Sequence, residues 1–253
     1  MDSVERRRSA IVDFINQHSS ITFAELKKEF AGVSEMTLRT DLRTLDRESR
    51  IIRVHGGAKS METVVGNDPY LGSREVRNVE AKQIIVEKAL RLIHPGSTLF
   101  LDSGSTTTML AKNLPNQPLL IYTSSITCAA ELARLDQVRV YLPGGAMNRF
   151  SMSICGTRGI EELEKVNFDL ALLGVTSFSE KAGFTCGSAE EAVLKRTALS
   201  RADQRYVLMD SSKIGTRNPF TFGLLNEVDG VVTDGKTPAD FLAACQEAGI
   251  QVL

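Results

Sequence analysis

The chain has no tryptophan and few of the residues that mark a metal or redox protein. Of its 253 residues only four are cysteines and three are histidines. The cysteines Cys128, Cys155, Cys186 and Cys245 form no Cys-x-x-Cys pair, and no histidine lies close to them in sequence. Zinc clusters and disulfide scaffolds need such spacings. We therefore expect no metal site and four buried thiols.

Long apolar runs and an excess of charge are also missing. No run approaches the roughly 18 apolar residues that would span a bilayer, and no apolar segment follows the basic start at residues 1–8. A hydrophobic content of 42% and a charged content of 24% are ordinary for globular proteins, which excludes disordered, collagen-like and coiled-coil classes. We expect a cytoplasmic protein without a membrane partner. Its formal net charge of -1 gives no indication of nucleic-acid binding.

The first part of the chain has the pattern of a helix-turn-helix. Thr22 and Glu25 form a capping box that predicts the start of a helix. The next predicted helix follows after only residues 31–33, with Ser34 as its N-cap. Two helices joined by about three residues that include a glycine are typical of helix-turn-helix proteins.

The third predicted helix has a narrow apolar side and an outward side free of acid. At 100° per residue, Leu38, Leu42 and Leu45 share the apolar side. The opposite side and its flanks carry Met36, Thr37, Arg39, Thr40, Arg43, Thr44 and Arg47. A merely solvated face usually mixes lysine with glutamate, whereas threonine and arginine suit base edges and phosphates. This helix is therefore predicted to contact double-stranded DNA.

A strand and a turn follow this helix and predict the wing of a winged helix. Residues 51–54 have the pattern of a strand, and His55, Gly56 and Gly57 that of a tight turn. Residues 59–80 show low hydrophobicity and no sustained period, which indicates a linker. We thus predict a DNA-binding domain at 1–58, a linker at 59–80 and a second domain at 81–253.

The second domain alternates strands with helices. Apolar strands are predicted at 98–101, 119–122, 138–142, 170–173, 206–209 and 230–233, and helices at 127–135, 189–201 and 238–248. This alternation predicts an α/β fold with a largely parallel sheet covered on both faces.

Small, hydroxyl and acidic residues follow the predicted strands. Ligands of open α/β sheets bind beyond the carboxyl ends of the strands, so these residues are candidates for one site. They are Asp102, Ser103, Gly104, Ser105, Thr106, Thr107, Thr123, Ser124, Ser125, Gly144, Gly145, Gly174, Asp210 and Lys213, with Glu190, Glu191 and Lys195 from the helix at 189–201.

The loop after Asp102 joins a strand to a helix, so its N–H groups and hydroxyls favour an anion such as phosphate. Lys213 and Lys195 are candidates to compensate the phosphate charge. Asp102, Asp210, Glu190 and Glu191 are candidates to bind sugar hydroxyls. No Walker or G-x-G-x-x-G motif is present, so a nucleotide is not the preferred ligand. Two alternatives stay open: ordinary turn and cap chemistry, and an enzyme that moves protons on a sugar phosphate.

Two sets of motifs resemble the DeoR family of bacterial transcriptional regulators. Residues 33–42, with Leu45 and the Arg53-Val54-His55-Gly56-Gly57-Ala58 segment, are similar to its winged helix-turn-helix. Residues 101–107, 143–145, 183–185 and 210–213 are similar to its sensor domain. The resemblance covers nearly the whole chain. Thr40, Ser49-Arg50 and Ser124 depart from the family pattern, in which a basic residue, a glycine and an asparagine are usual.

The resemblance implies a sensor domain similar in fold to ribose-phosphate isomerases and CoA transferases. It places a phosphorylated sugar or related metabolite on the loop from Ser103 to Thr107, and DNA on the helix that starts at Ser34 and on the wing with Arg53 and His55. We therefore expect a homodimeric or larger repressor of a carbohydrate catabolic operon, without catalytic residues or cofactor. The alternative is a sugar-phosphate isomerase or deaminase-type enzyme.

Overall fold

A computed structural model of the protein describes residues 3–18, 20–48, 50–54, 56–60 and 71–253. The chain divides into two compact units, Met1–Asn67 and Asp68–Leu253. Each unit is described separately below.

The first unit is a winged helix-turn-helix, as predicted. Its described elements are α1 (Ser3–His18), β1 (Ser20–Thr22), α2 (Phe23–Glu29), α3 (Glu35–Arg47), β2 (Ile51–Val54) and β3 (Gly57–Ser60). The three strands form an antiparallel sheet in the order β1-β3-β2. The β2 strand confirms the predicted wing strand, while His55 of the predicted turn lies outside the described residues.

Local sequence fixes where the two central helices begin. Thr22 and Glu25 form the predicted capping box at the start of α2, and Ser34 Oγ accepts a hydrogen bond of 3.2 Å from Thr37 N at the start of α3. Each cap satisfies a backbone N–H that has no partner within its helix. The apolar stripe of α3 is buried in a small core against α1 and α2.

The second unit opens inside the segment predicted as a linker. Residues 59–60 belong to β3, and residues 71–75 and 79–80 are helical. Leu71 is buried, and its N–H donates a hydrogen bond of 2.9 Å to Phe150 O. The linker prediction is thus corrected at both ends, because low hydrophobicity hid strand residues of the first unit at 59–60 and helical residues of the second unit at 71–75 and 79–80. Residues 61–70 lie outside the described part of the chain.

Helices and strands alternate through the second unit. The described helices are α4 (Leu71–Glu75), α5 (Val79–Leu90), α6 (Ser105–Asn113), α7 (Ile126–Leu132), α8 (Thr157–Leu163), α9 (Ala189–Ser200) and α10 (Ala239–Glu247). The described strands are β4 (Thr98–Leu101), β5 (Leu119–Thr123), β6 (Val138–Tyr141), β7 (Ala146–Asn148), β8 (Ser153–Cys155), β9 (Phe168–Gly174), β10 (Ser177–Ser179), β11 (Gly183–Cys186), β12 (Ala202–Leu208), β13 (Phe220–Gly223), β14 (Gly230–Val232) and β15 (Gln251–Val252).

Seven strands form one parallel sheet in the order β15-β14-β12-β9-β4-β5-β6. All six predicted strands belong to it, which confirms the parallel α/β architecture. Two hydrophobic clusters cover the sheet, as expected where helices pack on both faces. The carboxyl ends of β4, β9 and β12 lie side by side in this order.

Two small antiparallel pieces were not predicted. The β7-β8 hairpin and the β10-β11-β13 sheet consist of strands of three or four residues. β4 and β14 are as short but end in continuous apolar runs, whereas polar residues or glycine interrupt these five strands. Three or four mixed residues give too few alternations to reveal a period. No helix among the residues described is long and apolar enough to cross a membrane.

Candidate nucleic-acid interface and sensor cavity

The outward side of α3 carries the side chains that the sequence assigned to DNA. Ser34, Met36, Arg39, Thr40, Arg43, Arg47 and Arg53 are exposed, and Thr37 and Thr44 are half-buried. Met36, the apolar residue on this side, is 78% exposed. Three arginines at i, i+4 and i+8 line this surface, a pattern that favours a polyanion.

Two of these side chains are held by local contacts. The Arg39 guanidinium carbon lies 4.2 Å from the centroid of the Phe23 ring on α2, a cation–π distance. Thr40 Oγ1 donates a hydrogen bond of 2.9 Å to Met36 O. The Thr40 hydroxyl can therefore only accept a hydrogen bond from a bound partner, because its own hydrogen is already donated to Met36 O.

One residue of α3 that the sequence reasoning missed is Asp41. It is 2% exposed and accepts hydrogen bonds from Arg7 Nε at 2.7 Å and Arg8 Nε at 2.9 Å, both on α1. Its angular position beside the Leu38 and Leu42 stripe was the available signal, since a carboxylate there must find a partner.

The second unit has a polar cavity of about 140 Å³ beyond the carboxyl ends of β4, β9 and β12. Its lining includes most of the predicted loop and several residues from the start of the unit. Among the residues of the lining are Arg74, Arg77, Asn78, Lys82, Ser103, Gly104, Ser105, Thr106, Thr107, Ser151, Gly174, Glu191, Lys195, Asp210, Ser212 and Lys213.

The loop from Ser103 to Thr107 forms the beginning of α6. Gly104 is the N-cap residue with φ of 139°, a conformation that favours glycine. Thr107 Oγ1 and Thr108 Oγ1 both donate to Gly104 O, at 2.9 and 2.8 Å. The helix thus begins at the cavity, with free N–H groups and its positive end directed there.

A buried ion pair lies behind this loop. The Lys195 ammonium contacts the Asp102 carboxylate and donates a hydrogen bond of 2.9 Å to Gly174 O, while Gly174 N donates one of 2.8 Å to Asp102 Oδ2. Burial is the largest influence and lowers the pKa of Lys195, but the charge and hydrogen bond of Asp102, together with Cys186 and Glu191, outweigh it, so the net pKa is raised. Asp102, predicted as a sugar contact, instead fixes Lys195 against β9.

The carboxylate on α9 that reaches the cavity is Glu191 and not Glu190. Glu191 is 5% exposed, and its Oε1 accepts hydrogen bonds from Ser151 Oγ and, at 2.8 Å, from Ser153 Oγ. Glu190 is exposed and bonds Ser188 Oγ at 2.8 Å. Neighbouring residues of a helix point about 100° apart, so only one of the two faces the cavity.

The opposite side of the cavity comes from Lys82 and from three residues of the segment predicted as a linker, Arg74, Arg77 and Asn78. The Lys82 ammonium contacts the carbonyl oxygens of Arg74 and Arg77, and burial lowers its pKa. Asn78, in a left-handed conformation, donates hydrogen bonds of 3.1 Å to Asp210 Oδ1 and Ser212 Oγ. Arg74, Arg77 and Asn78 lie outside the helices and strands that the sequence predicts, so no pattern indicated them.

Besides Asp102 and Glu190, five more predicted residues lie outside the cavity lining, where their contacts are structural. Thr123 Oγ1 accepts from Ser125 N at 3.1 Å, and Ser125 Oγ caps α7 by accepting from Cys128 N at 3.1 Å. A Cβ at Gly145 would meet Cys155 O at 2.3 Å. The five are Thr123, Ser124, Ser125, Gly144 and Gly145. Turn and cap chemistry, the alternative left open above, explains these contacts.

The cavity is suited to an anion that also carries hydroxyl groups. Its lining has five cationic side chains against the two carboxylates of Glu191 and Asp210. Because Lys195 is paired with Asp102, the excess of positive charge belongs to Arg74, Arg77, Lys82 and Lys213. Within the described ranges no group of three metal-ligating residues occurs.

A winged helix-turn-helix and a separate α/β unit with a polar cavity define a DNA-binding regulator with a sensor domain. Residues 7–64 match the model of the DeoR-like helix-turn-helix domain, and residues 77–235 match that of the DeoR C terminal sensor domain. The chain belongs to the DeoR family of transcriptional regulators.

Full-length relatives agree with this assignment. The chain is 32% identical over 248 residues to the HTH-type transcriptional regulator GlpR of Haloferax volcanii, with 98% of this chain and 96% of that protein covered. It is 32% identical to the HTH-type transcriptional repressor GlcR of Bacillus subtilis, with coverages of 98% and 95%. Among solved structures, ribose 5-phosphate isomerase A from Methanocaldococcus jannaschii aligns with a TM-score of 0.40 and 16% identity, covering 54% of this chain and 55% of that one.

Proposed function

We propose that the protein represses a carbohydrate catabolic operon and releases its DNA when a phosphorylated sugar or sugar acid fills the cavity. The observation that carries this proposal is the cavity itself, in which a helix N-terminus and an excess of cationic side chains face two carboxylates. Similar proteins have names of the same kind, among them the lactose phosphotransferase system repressor of Streptococcus mutans, 31% identical over 232 residues with 91% of this chain and 92% of that protein covered.

The phosphate would lie at the start of α6. There the backbone N–H groups of the loop, the Ser105 and Thr106 side chains and the helix dipole all favour negative charge. Lys213 lines the same cavity and supplies a cation. Glu191 and Asp210 would accept hydrogen bonds from sugar hydroxyls, which gives the ligand one anionic and one hydroxylated end.

DNA recognition would use two copies of α3. One helix-turn-helix reads only a short half-site, so a homodimer or larger homo-oligomer on two-fold related half-sites fits this unit. The effector releases DNA only if it binds the DNA-incompetent state more tightly. A hundredfold preference corresponds to about 2.7 kcal/mol.

The contacts of Lys195 favour a binding role over an enzymatic one. A sugar-phosphate isomerase or deaminase needs an acid or base that is free to exchange protons with the substrate. Lys195 is instead hydrogen-bonded to Asp102 and Gly174, and the named relatives are transcriptional regulators. We therefore propose no catalytic residues and no cofactor.

The phosphate loop is tested by Thr106→Ala, with Thr197→Ala as a matched control. Thr197 is on α9, and its hydroxyl bonds Val193 O of its own helix. A saturating sugar phosphate should raise the melting temperature of the native protein and of Thr197→Ala by several degrees, because ligand at 100 times Kd adds about 2.7 kcal/mol of stability. Thr106→Ala should show little or no increase. An equal increase in all three proteins would place the phosphate elsewhere.

A further inference from the structure

Three charged side chains join the recognition helix α3 to α1, and the DNA contacts proposed above do not account for them. Asp41 is on α3, and its side chain is only 2% exposed. Its two carboxylate oxygens are bound from two consecutive residues of α1, Oδ2 by Arg7 Nε and Oδ1 by Arg8 Nε. We call these three residues the arginine clamp.

Apolar packing alone leaves the rotation of α3 weakly determined. Leu38, Leu42 and Leu45 are buried without directional bonds, so small rotations of the helix about its axis change their contacts little. With a side-chain radius of about 5 to 6 Å, a rotation of about 20° moves an outward side chain by about 2 Å. A shift of that size breaks a hydrogen bond to a base edge.

The clamp removes this freedom because charged hydrogen bonds are directional. Both oxygens of one buried carboxylate are fixed by guanidinium groups that leave α1 in different directions, since consecutive residues point about 100° apart. We propose that Asp41, Arg7 and Arg8 are positioning residues for operator recognition, which set the rotation of α3 so that its outward side chains meet the bases. This inference rests on the proposed binding of operator DNA.

Asp41→Asn distinguishes a positioning role from simple electrostatics, because the two accounts predict opposite changes in affinity for the operator. The variant loses one negative charge, so electrostatics alone predicts tighter binding to every DNA. Positioning predicts weaker binding to the operator, by about tenfold or more, roughly the loss of one base contact. Binding to a scrambled duplex of equal length should stay unchanged or tighten.

The measurement is fluorescence anisotropy of labelled duplex from the gene's upstream region against that scrambled duplex. It is made at fixed salt and well below the unfolding transition of each full-length variant. Ile21→Val, a buried change in β1, is the control for a mere loss of stability and should keep the native preference for the operator. Arg6→Gln is the control for charge on α1, because Arg6 is exposed. If Asp41→Asn unfolds, Arg7→Lys replaces it, since lysine keeps the charge but loses the planar Nε contact.

The double variant Arg7→Gln with Asp41→Asn completes the test. If Arg7 acts through Asp41, the double variant should bind the operator no more weakly than Asp41→Asn alone. A loss equal to the product of the two single losses would overturn the proposal, because Arg7 would then act on DNA directly. An unchanged operator preference in Asp41→Asn would overturn it as well. If the native protein itself shows no preference for the upstream duplex, the proposed function fails and not the clamp alone.

Discussion

At the scale of single residues, the second unit contains a buried pair of opposite charges. Asp102 and Lys195 are 1% and 4% exposed, and each bonds Gly174 as well as the other. Removing one member of such a pair leaves an uncompensated buried charge, which costs more than the pair itself contributes.

We therefore expect Lys195→Met to lower the free energy of unfolding by about 3 to 5 kcal/mol at neutral pH. Chemical denaturation measures this. Adding Asp102→Asn should recover part of the loss, since the carboxylate that lost its Lys195 partner is then removed as well. A double variant that is less stable than Lys195→Met would contradict this account. Because the pKa of Lys195 is raised above 10.5, the stability that this raised pKa contributes is fully present below about pH 10.5 and is lost as the pH rises through the higher folded pKa.

The cysteines should be inert in the folded protein. Burial raises the pKa of Cys155 and of Cys186 to about 12 and that of Cys245 to about 11, and it also raises that of Cys128. Thiolate is the reactive form, so iodoacetamide at pH 8 should modify none of the four before unfolding and all four in denaturant. Mass spectrometry counts the adducts. Rapid labelling of Cys155 or Cys186 in the folded state would contradict this account.

At the scale of elements, the caps of α2 and α3 offer a comparison between stability and recognition. Thr22 and Ser34 are both exposed N-cap residues, but only Ser34 begins the helix predicted to meet DNA. We expect Thr22→Ala and Ser34→Ala each to lower the free energy of unfolding by about 1 kcal/mol. Only Ser34→Ala should also weaken operator binding, as measured by anisotropy. Equal operator affinities of the two variants would show that Ser34 caps α3 without contributing to DNA binding.

Periodicity predicts the long or strongly patterned elements and fails for the short ones. The α3 stripe was predicted from its helical period, and the six strands were predicted as continuous apolar runs between helical segments. The β7-β8 hairpin and α4 show neither pattern. Asp41 and Glu191 show a second reason why parts of the structure could not be predicted from the sequence. Whether a charged side chain is buried depends on partners such as Arg7 or Ser153, which are distant in sequence and only meet in the fold.

At the scale of the whole molecule, the sequence predicted the two functions of the chain better than the details of either site. The order of a helix-turn-helix before an α/β unit can be recognised from motifs that lie close together in sequence. The lining of the cavity cannot, because Arg74, Asn78 and Lys82 come from a segment without a strong pattern and meet Asp210 across more than a hundred residues.

The central claim is that one chain binds a specific DNA and loses it to a phosphorylated sugar. The most direct test is fluorescence anisotropy of labelled DNA from the gene's own upstream region, titrated with the full-length protein at fixed salt. A panel of sugar phosphates is then added to the complex. We predict tight, sequence-selective binding that one member of the panel weakens by about a hundredfold, the factor that a coupling of about 2.7 kcal/mol implies. Binding that is not sequence-selective even at low salt, or turnover of a sugar phosphate by the purified protein, would contradict the claim.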